Sequence, residues 1–488
     1  MQRINIVWLK RDLRLHDNEA ICRAIQQNQK FCLLYILEPS LQKDPHYSAR
    51  HFSFIKQSIL DLNVQLAKFD SQVLYLELEV QDAFDFLKKN YSITSVFSGQ
   101  ETGIKKTYDR DKKISKYFKK NNIVWHELPS KGVKRGMKNR NKWIEEWNDY
   151  VNSSTVFFQP RQNQMLSKKT IVEWSSHIEL EKTNSHCQPG GEQNGKKYLE
   201  GFLNKRHVGY LKNISKPLGS RIHCSRLSVY LAWGNLSIRQ AFQAAKMSRP
   251  DSSDKRAING FISRLRWHSH FIQKFEMECS MEFESLNKTY NHLKKPITPD
   301  LIRAWENGNT GFPLVDACMR CLNATGYLNF RMRALLISFF THILWQPWQK
   351  ASFHLSKQFL DFEPGIHYSQ LIMQAGETGF NTLRIYNPVR NSFEHDPNGE
   401  FIVQWLPELR RVPLSLVHEP WKMSAMDQIM YKTRIGQDYP YPIVDFQKAR
   451  AKASKILWEF RKKPQTIKES NRILAMHVNP KTDKKKGN

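Results

Sequence analysis

The first 130 residues alternate between short apolar runs and amphipathic stretches. "INIVWL", "FCLLYIL", "VLYLEL", "ITSVFS" and "IVWHEL" are rich in β-branched and aromatic residues and have the length of buried strands. Between them the pattern becomes helical: to about Gln29, from Ser48 to Phe69, from Asp82 to Asn90 and from Lys105 to Lys120. Strands alternating with helices predict an α/β fold, a doubly wound parallel sheet of Rossmann-like type. No GxGxxG follows the first run, so an ordinary dinucleotide site is not signalled. "WLKRDLRLHDNEA" stands there instead, with a helix start at Asp17 or Asn18.

The alternation stops after residue 130, and "HCQPGGEQNG", His186 to Gly195, reads as a boundary loop. From about Tyr198 to Ala475 every pattern is helical. In "TGFPLVDACMRCLNATG", Thr310 stands near an N-cap, Pro313 in the first turn and Gly326 at the stop. These patterns predict an α/β domain over 1–130, a basic interdomain linker over 131–200, an all-helical domain over 201–475 and a Lys-rich disordered tail over 476–488. The most apolar stretch, "ALLISFFTHILW", is too short to span a bilayer, and the chain opens on a strand rather than a signal peptide. The expectation is a cytoplasmic monomer with no membrane partner.

Composition sharpens this picture in two ways. Lys plus Arg number 75 against 46 Asp plus Glu, a net charge of +29, and a field of that sign attracts polyanions, of which nucleic acid is the commonest in a cell. "KGVKRGMKNRNKW" concentrates Lys131, Lys134, Arg135, Lys138, Arg140 and Lys142 without an acid, as either a solvated linker or a phosphate-facing segment. The seven cysteines are scattered, and the one CxxC, Cys318 and Cys321, lies in a helical pattern that suits core packing. No second pair completes a metal or iron–sulfur site, so no metal is expected.

In "CSRLSVYLAWGNLS", Ser225, Arg226 and Ser228 stand where a helix begins, and free N–H groups, hydroxyls and a guanidinium together suit a diphosphate. Taken in order, "VWLKRDLRLHDNEA", "ETGIKKTYDRD", "SRLSVYLAWGNLS", "AWENGNTGFPLVDACMRCLNATGYLNFRMR", "LRIYNP" and "DPNGEFIVQWLPEL" resemble the DNA photolyase/cryptochrome family from residue 4 to about 445. The resemblance implies an N-terminal α/β antenna-type domain and a C-terminal helical domain that holds FAD. It also implies a possible second antenna chromophore, of unknown identity, in the first domain. Carried over by position, Tyr210, Cys224, Ser225, Arg226, Leu227 and Ser228 match the phosphate side of the flavin site, with Cys224 where Thr or Ser is usual. "LDFEPG" supplies Asp361 and Glu363 for the adenosine and the isoalloxazine, and Arg384 matches the Arg that pairs with the first carboxylate.

The sequence also departs from the family. Repairing members carry a Glu in a "WRE" helix that bonds the flipped lesion, whereas the matching "SRLRWHSH" here has none. His268, His270 and Gln273 are the candidates for that catalytic role, and the spacing of the two histidines lets at most one face the cavity. Phe330 replaces an Asn, and His367 stands where an Asn faces the flavin. The Trp-rich segment reads "IHYSQLIM", without the proximal Trp of the usual electron chain. Trp348 matches the middle Trp, and Tyr368, Trp345 and Tyr386 are candidates for another electron route. Damaged DNA is the expected partner, through Lys134, Arg135, Lys138, Arg140 and Arg331. Light-driven repair of a flipped pyrimidine dimer is the favoured reading. A blue-light receptor without repair is the alternative, and a basic nucleic-acid-binding protein without FAD is the weakest.

Overall fold

Five parallel strands, β1 (Gln2–Leu9), β2 (Phe31–Ile36), β3 (Leu74–Leu76), β4 (Tyr91–Gly99) and β5 (Val124–Leu128), form one sheet in the order β3-β2-β1-β4-β5. The computed structural model describes residues 1–180 and 186–478. Most of the predicted Lys-rich tail therefore lies outside the described residues, while Met476 and His477 end the Pro464–His477 helix. Both faces of β1 are buried, as its apolar run from Ile4 to Leu9, with buried Asn5 within it, requires. Ile4, Ile6 and Trp8 pack into one apolar layer and Val7 and Leu9 into the other. β3 is shorter than its sequence pattern because it is an edge strand, paired with β2 only over Leu34–Ile36. Asn18 is the N-cap of the Glu19–Gln26 helix, its side chain accepting from the Ile21 amide.

The "WLKRDLRLHDNEA" segment clasps the helical part of the chain. Arg11 donates to Glu363 and to the Phe362 carbonyl at 3.2 and 2.9 Å, with its guanidinium over the Trp233 ring. Arg14 donates to the Gly234 carbonyl, and buried Asp17 is gripped by Arg239 and by the Ser237 hydroxyl. Gly234 is required here: its φ is +74°, and a Cβ would lie 2.2 Å from the Arg11 carbonyl oxygen.

The stretch expected as a linker contains the helices Trp143–Asn152, Lys168–Trp174 and Glu192–Gly201. Trp143, Trp147 and Val151 recur at helical spacing and bury one face of the Trp143–Asn152 helix. The helical region is built around a second apolar core, with the Pro313–Thr325 and Phe330–Ser338 helices at its centre. Gly326, in the left-handed conformation, ends the first of these, as predicted. Thr310 instead donates from its N–H and hydroxyl to Asp316 Oδ1. The Lys255–Met277 and Pro364–Gln374 helices pack so closely that a Cβ on Gly365 would stand 2.6 Å from Ile272 Cα. Among the described residues no helix is long and apolar enough to cross a membrane.

Candidate functional site

A cavity of about 570 Å³ opens between these two helices, the Phe330–Ser338 helix and the Cys224–Ser228 turn. All ten residues matched to the cofactor line it: Tyr210, Cys224, Ser225, Arg226, Leu227, Ser228, Asp361, Glu363, His367 and Arg384. Its size is that of a cofactor pocket, a few hundred Å³ or more. The turn carries local strain, because Arg226 is a non-glycine residue at φ 59°. Gln188 holds it there, accepting from Arg226 Nη2 at 2.8 Å and donating to the Arg226 carbonyl at 2.9 Å. The guanidinium also lies 3.7 Å from the Tyr327 ring centroid.

Asp361 is neutralised by a different cation from the one expected, and Glu363 by two cations for which no expectation was made. Asp361 receives both forks of Arg333, Nη1 at 3.0 Å and Nη2 at 2.8 Å, and Arg333 itself lies over the Phe359 ring. Arg384, which was expected in that place, is exposed on the cavity wall. Burial alone would raise the Asp361 carboxyl, but the Arg333 charge overrides it and holds the group below the usual range. Glu363 behaves likewise: burial would raise it, and Lys131 at 2.6 Å and Arg11 at 3.2 Å lower it. Lys131 therefore neutralises a carboxylate on the cavity wall and is not available to DNA phosphate.

The other expected DNA contacts also differ from an open cationic face. Lys134 pairs with Glu146, and Arg135 pairs with Glu127 at 2.9 Å. Arg140 is 2% exposed and stacks 4.2 Å over Trp143, and burial lowers its pKa to about 9. Lys138 remains exposed, and Arg331 lines the cavity with Nη1 donating to the Tyr386 hydroxyl. The stretch folds back because Gln273, wholly buried, accepts from the Lys134 N–H and donates to its carbonyl, while the Ser269 hydroxyl donates to the Lys131 carbonyl.

Gln273 is thus a structural pin and does not line the cavity. His270 does not line it either. It packs against Trp143 and Trp267, with Arg140 Nη1 3.4 Å from its Nε2. His268 does line it, and both of its ring nitrogens are shielded and without a partner. Burial lowers its pKa to about 4, so at neutral pH the ring has one donor and one acceptor to offer a ligand. His367 is lowered by burial to about 3, and its Nε2–H donates to the Ser352 carbonyl at 3.1 Å. Its Nδ1 is then the acceptor. Trp348 and Tyr368 are fully buried behind the cavity, 6.1 Å apart between ring centroids.

Polar atoms of Arg226, His268, Asn329, Arg331 and Glu363 are buried without partners, and all five residues line this one cavity. Buried orphans are costly and rare, so their convergence marks the walls of a ligand site. A flavin dinucleotide, with its diphosphate and the polar edge of its ring, has acceptors and donors to match them. Sequence reasoning did not assign Gln188, Tyr327, Arg333, Lys131 or Arg11 to this site. Arg333 lies within the "NFRMR" motif and was the most accessible to it. The cleft beside β1 differs. It has room for about 50 Å³, a few waters, and Arg110 crosses it to Glu38 and Glu101 at 2.5 and 2.8 Å.

The neutral histidines give acid lability a definite window. His51, His268, His342 and His367 are lowered by burial to about 4, 4, 3 and 3. An unfolded chain protonates its histidines near pH 6.5, so below that pH it binds more protons than the folded one. The expected result is a melting temperature that is level above pH 7 and falls steadily from pH 6.5 toward 5. A level profile to pH 5 would contradict it. Asp361 and Glu363, being lowered, lose their contribution only below about pH 4.

Comparison with known proteins agrees with this geometry. Residues 5–134 match the DNA photolyase family, and residues 261–459 match the FAD binding domain of DNA photolyase. A deoxyribodipyrimidine photo-lyase of Alkalihalophilus pseudofirmus is 26% identical over 92% of this chain and 97% of its own length. Cryptochrome-2 of Arabidopsis thaliana is 27% identical over 94% of this chain and 79% of its own length. The crystal structure of a Synechocystis cryptochrome superposes with a TM-score of 0.83 at 22% identity, covering 93% of this chain and 99% of that one. With its parallel α/β sheet, its helical FAD-binding region and matches over most of its length, the chain belongs to the DNA photolyase/cryptochrome family.

Proposed function

We propose that the protein is a light-driven, flavin-dependent DNA repair enzyme acting on a pyrimidine lesion flipped out of the duplex. The observation that carries this reading is the rim of the cavity. Trp267 and Phe330 are 44% and 45% exposed and both line it. Exposed aromatic rings beside a polar pocket suit the stacking of extruded bases, worth about 1–3 kcal/mol per base. Arg264 and Arg384 are exposed cations on the same walls, while the wall carboxylates Asp361 and Glu363 are neutralised. The mouth is therefore positive, as a surface that docks on phosphates must be.

FAD, when bound and reduced, supplies the light-excited electron. The residues of this chain have separate tasks. Ser225, Arg226 and Ser228 offer donors to the diphosphate, and Asp361 with Arg333 fixes the adenosine side. Glu363, held ionised by Lys131 and Arg11, accepts from the ring edge. His268 orients the lesion with one donor and one acceptor and adds no buried negative charge beside the electron source. The proposal includes a cytoplasmic monomer on damaged duplex DNA. A second chromophore at the β1 cleft would have to displace the Arg110 network.

One observation favours a blue-light receptor instead: among the described residues Asp361 and Glu363 are the only carboxylates on the wall, and both are paired with cations of this chain. Binding separates the readings. The repair enzyme is expected to hold a duplex with one cyclobutane dimer at least about tenfold tighter than the undamaged duplex, equivalent to about 1.4 kcal/mol. Both affinities should fall steeply and in parallel with salt. Equal affinity for the two duplexes would favour the receptor.

A further inference from the structure

Behind the cavity, the Tyr368 hydroxyl lies 2.5 Å from His46 Nε2, and His46 Nδ1 lies 2.6 Å from Asp44 Oδ1. Asp44 Oδ2 in turn receives Lys106 Nζ at 3.1 Å. Tyr368 belongs to the Pro364–Gln374 helix, whereas His46 and Asp44 lie in the loop before the Ala49–Leu66 helix of the α/β region. Tyr368, His46 and Asp44 are 1%, 4% and 9% exposed, so these groups are shielded from bulk solvent. Asp44 would be raised by burial, but the bonds from His46 and Lys106 prevail and keep it ionised. An ionised carboxylate only accepts, so His46 Nδ1 donates to Asp44, and Nε2 is the ring nitrogen left to face the Tyr368 O–H. The loop is built for this: the His46 N–H also donates to Asp44 Oδ1, across Pro45, which locks an Asx turn.

Packing alone does not explain the chain of groups. Tyr368 stacks on Phe275 at 5.9 Å and meets Trp348 at 6.1 Å, contacts that a phenylalanine would make equally well. Its sequence neighbour His367, 5.1 Å away between ring centroids, lines the cavity. Trp348 differs: among the described residues its Nε1–H donates to the Ser285 hydroxyl, a far weaker base than an imidazole.

We propose that Tyr368, His46 and Asp44 form a proton-coupled electron donor for the cavity. Tyr368 gives one electron to the light-excited oxidised flavin and, in the same event, its phenolic proton to His46 Nε2. The products on this chain are a neutral tyrosyl radical and a His46 imidazolium paired with Asp44. Return of the electron and the proton restores the start. The proposal rests on FAD occupying the cavity but not on repair activity.

The test has two arms. In one, FAD-loaded protein is illuminated. In the other, FAD-free protein is oxidised by a flash-generated ruthenium polypyridyl oxidant. Both are followed by electron paramagnetic resonance and transient absorption. A tyrosyl radical is expected in both arms, absent in Tyr368→Phe, forming more slowly in D2O, and at least about 100-fold more slowly in His46→Gln, because a positioned base is lost. Asp44→Asn provides the second variant should His46→Gln not fold, and slower radical formation is expected there too. A radical in the ruthenium arm alone would keep the proton relay but overturn Tyr368 as the electron donor to the flavin. An undiminished tyrosyl signal in Tyr368→Phe would overturn the proposal. So would unchanged rates in both relay variants, even with lowered melting temperatures, which would leave these groups a merely structural bond between the two regions.

Discussion

Replacing Arg333 with Ala is expected to give a folded protein that retains little FAD. The Asp361 side chain is only 5% exposed and relies on the two Arg333 hydrogen bonds. Removing the guanidinium leaves a shielded carboxylate without a counter-charge. The pair is not fully buried, since Arg333 is 23% exposed, so the cost is about 2–3 kcal/mol rather than the larger penalty of a wholly buried pair. At 1.4 kcal/mol per tenfold, FAD affinity should fall roughly 30- to 150-fold. Arg333→Lys should lie between, because it keeps the charge and loses the fork. Titration of FAD into stripped protein measures this. Normal affinity in Arg333→Ala, with loss in Arg384→Ala, would transfer the pairing to Arg384.

Replacing His268 with Ala is expected to lower light-driven repair at least about tenfold while FAD content stays unchanged, since a lesion in a dry pocket is left with unpaired polar edges. The other two residues once grouped with it should behave differently. Gln273→Ala strips the Lys134 N–H and carbonyl of their partners and should cost about 1–3 kcal/mol of stability. His270→Ala should lower repair less than His268→Ala, because its ring does not line the cavity and touches it only through the rim ring of Trp267. Equal repair defects in all three would mean that the helix acts only as a unit of packing.

The α/β sheet was legible because its signal is local: "INIVWL" and "FCLLYIL" are almost wholly apolar, as strands with two covered faces are. Edge strand β3 ended early because pairing, not composition, decides where an edge strand stops. The cofactor residues were legible because they sit in short motifs whose order is specific. Their partners were not. Lys131 and Glu363 lie 232 positions apart, and no period or spacing links them. The same limit applied to the basic stretch: six cations within residues 131–142 left a solvated linker and a phosphate-facing segment both open, whereas Lys131 pairs with Glu363 and Arg140 stacks on Trp143. Arg384 was matched to Asp361 by position alone, and Arg333, on the neighbouring helix, has the fork that reaches it. In "DPHYS" nothing distinguished His46 from a loop residue, because its meaning depends on Tyr368, 322 positions away.

The most direct test of the repair reading is illumination of the FAD-loaded, reduced protein with an oligonucleotide carrying one defined lesion, followed by chromatography of the product. The account predicts that intact pyrimidines return under blue or near-UV light and not in the dark, for a cyclobutane or a (6-4) lesion. Protein that holds FAD and binds the damaged duplex, yet restores neither lesion in the light, would contradict it and make the protein a photoreceptor.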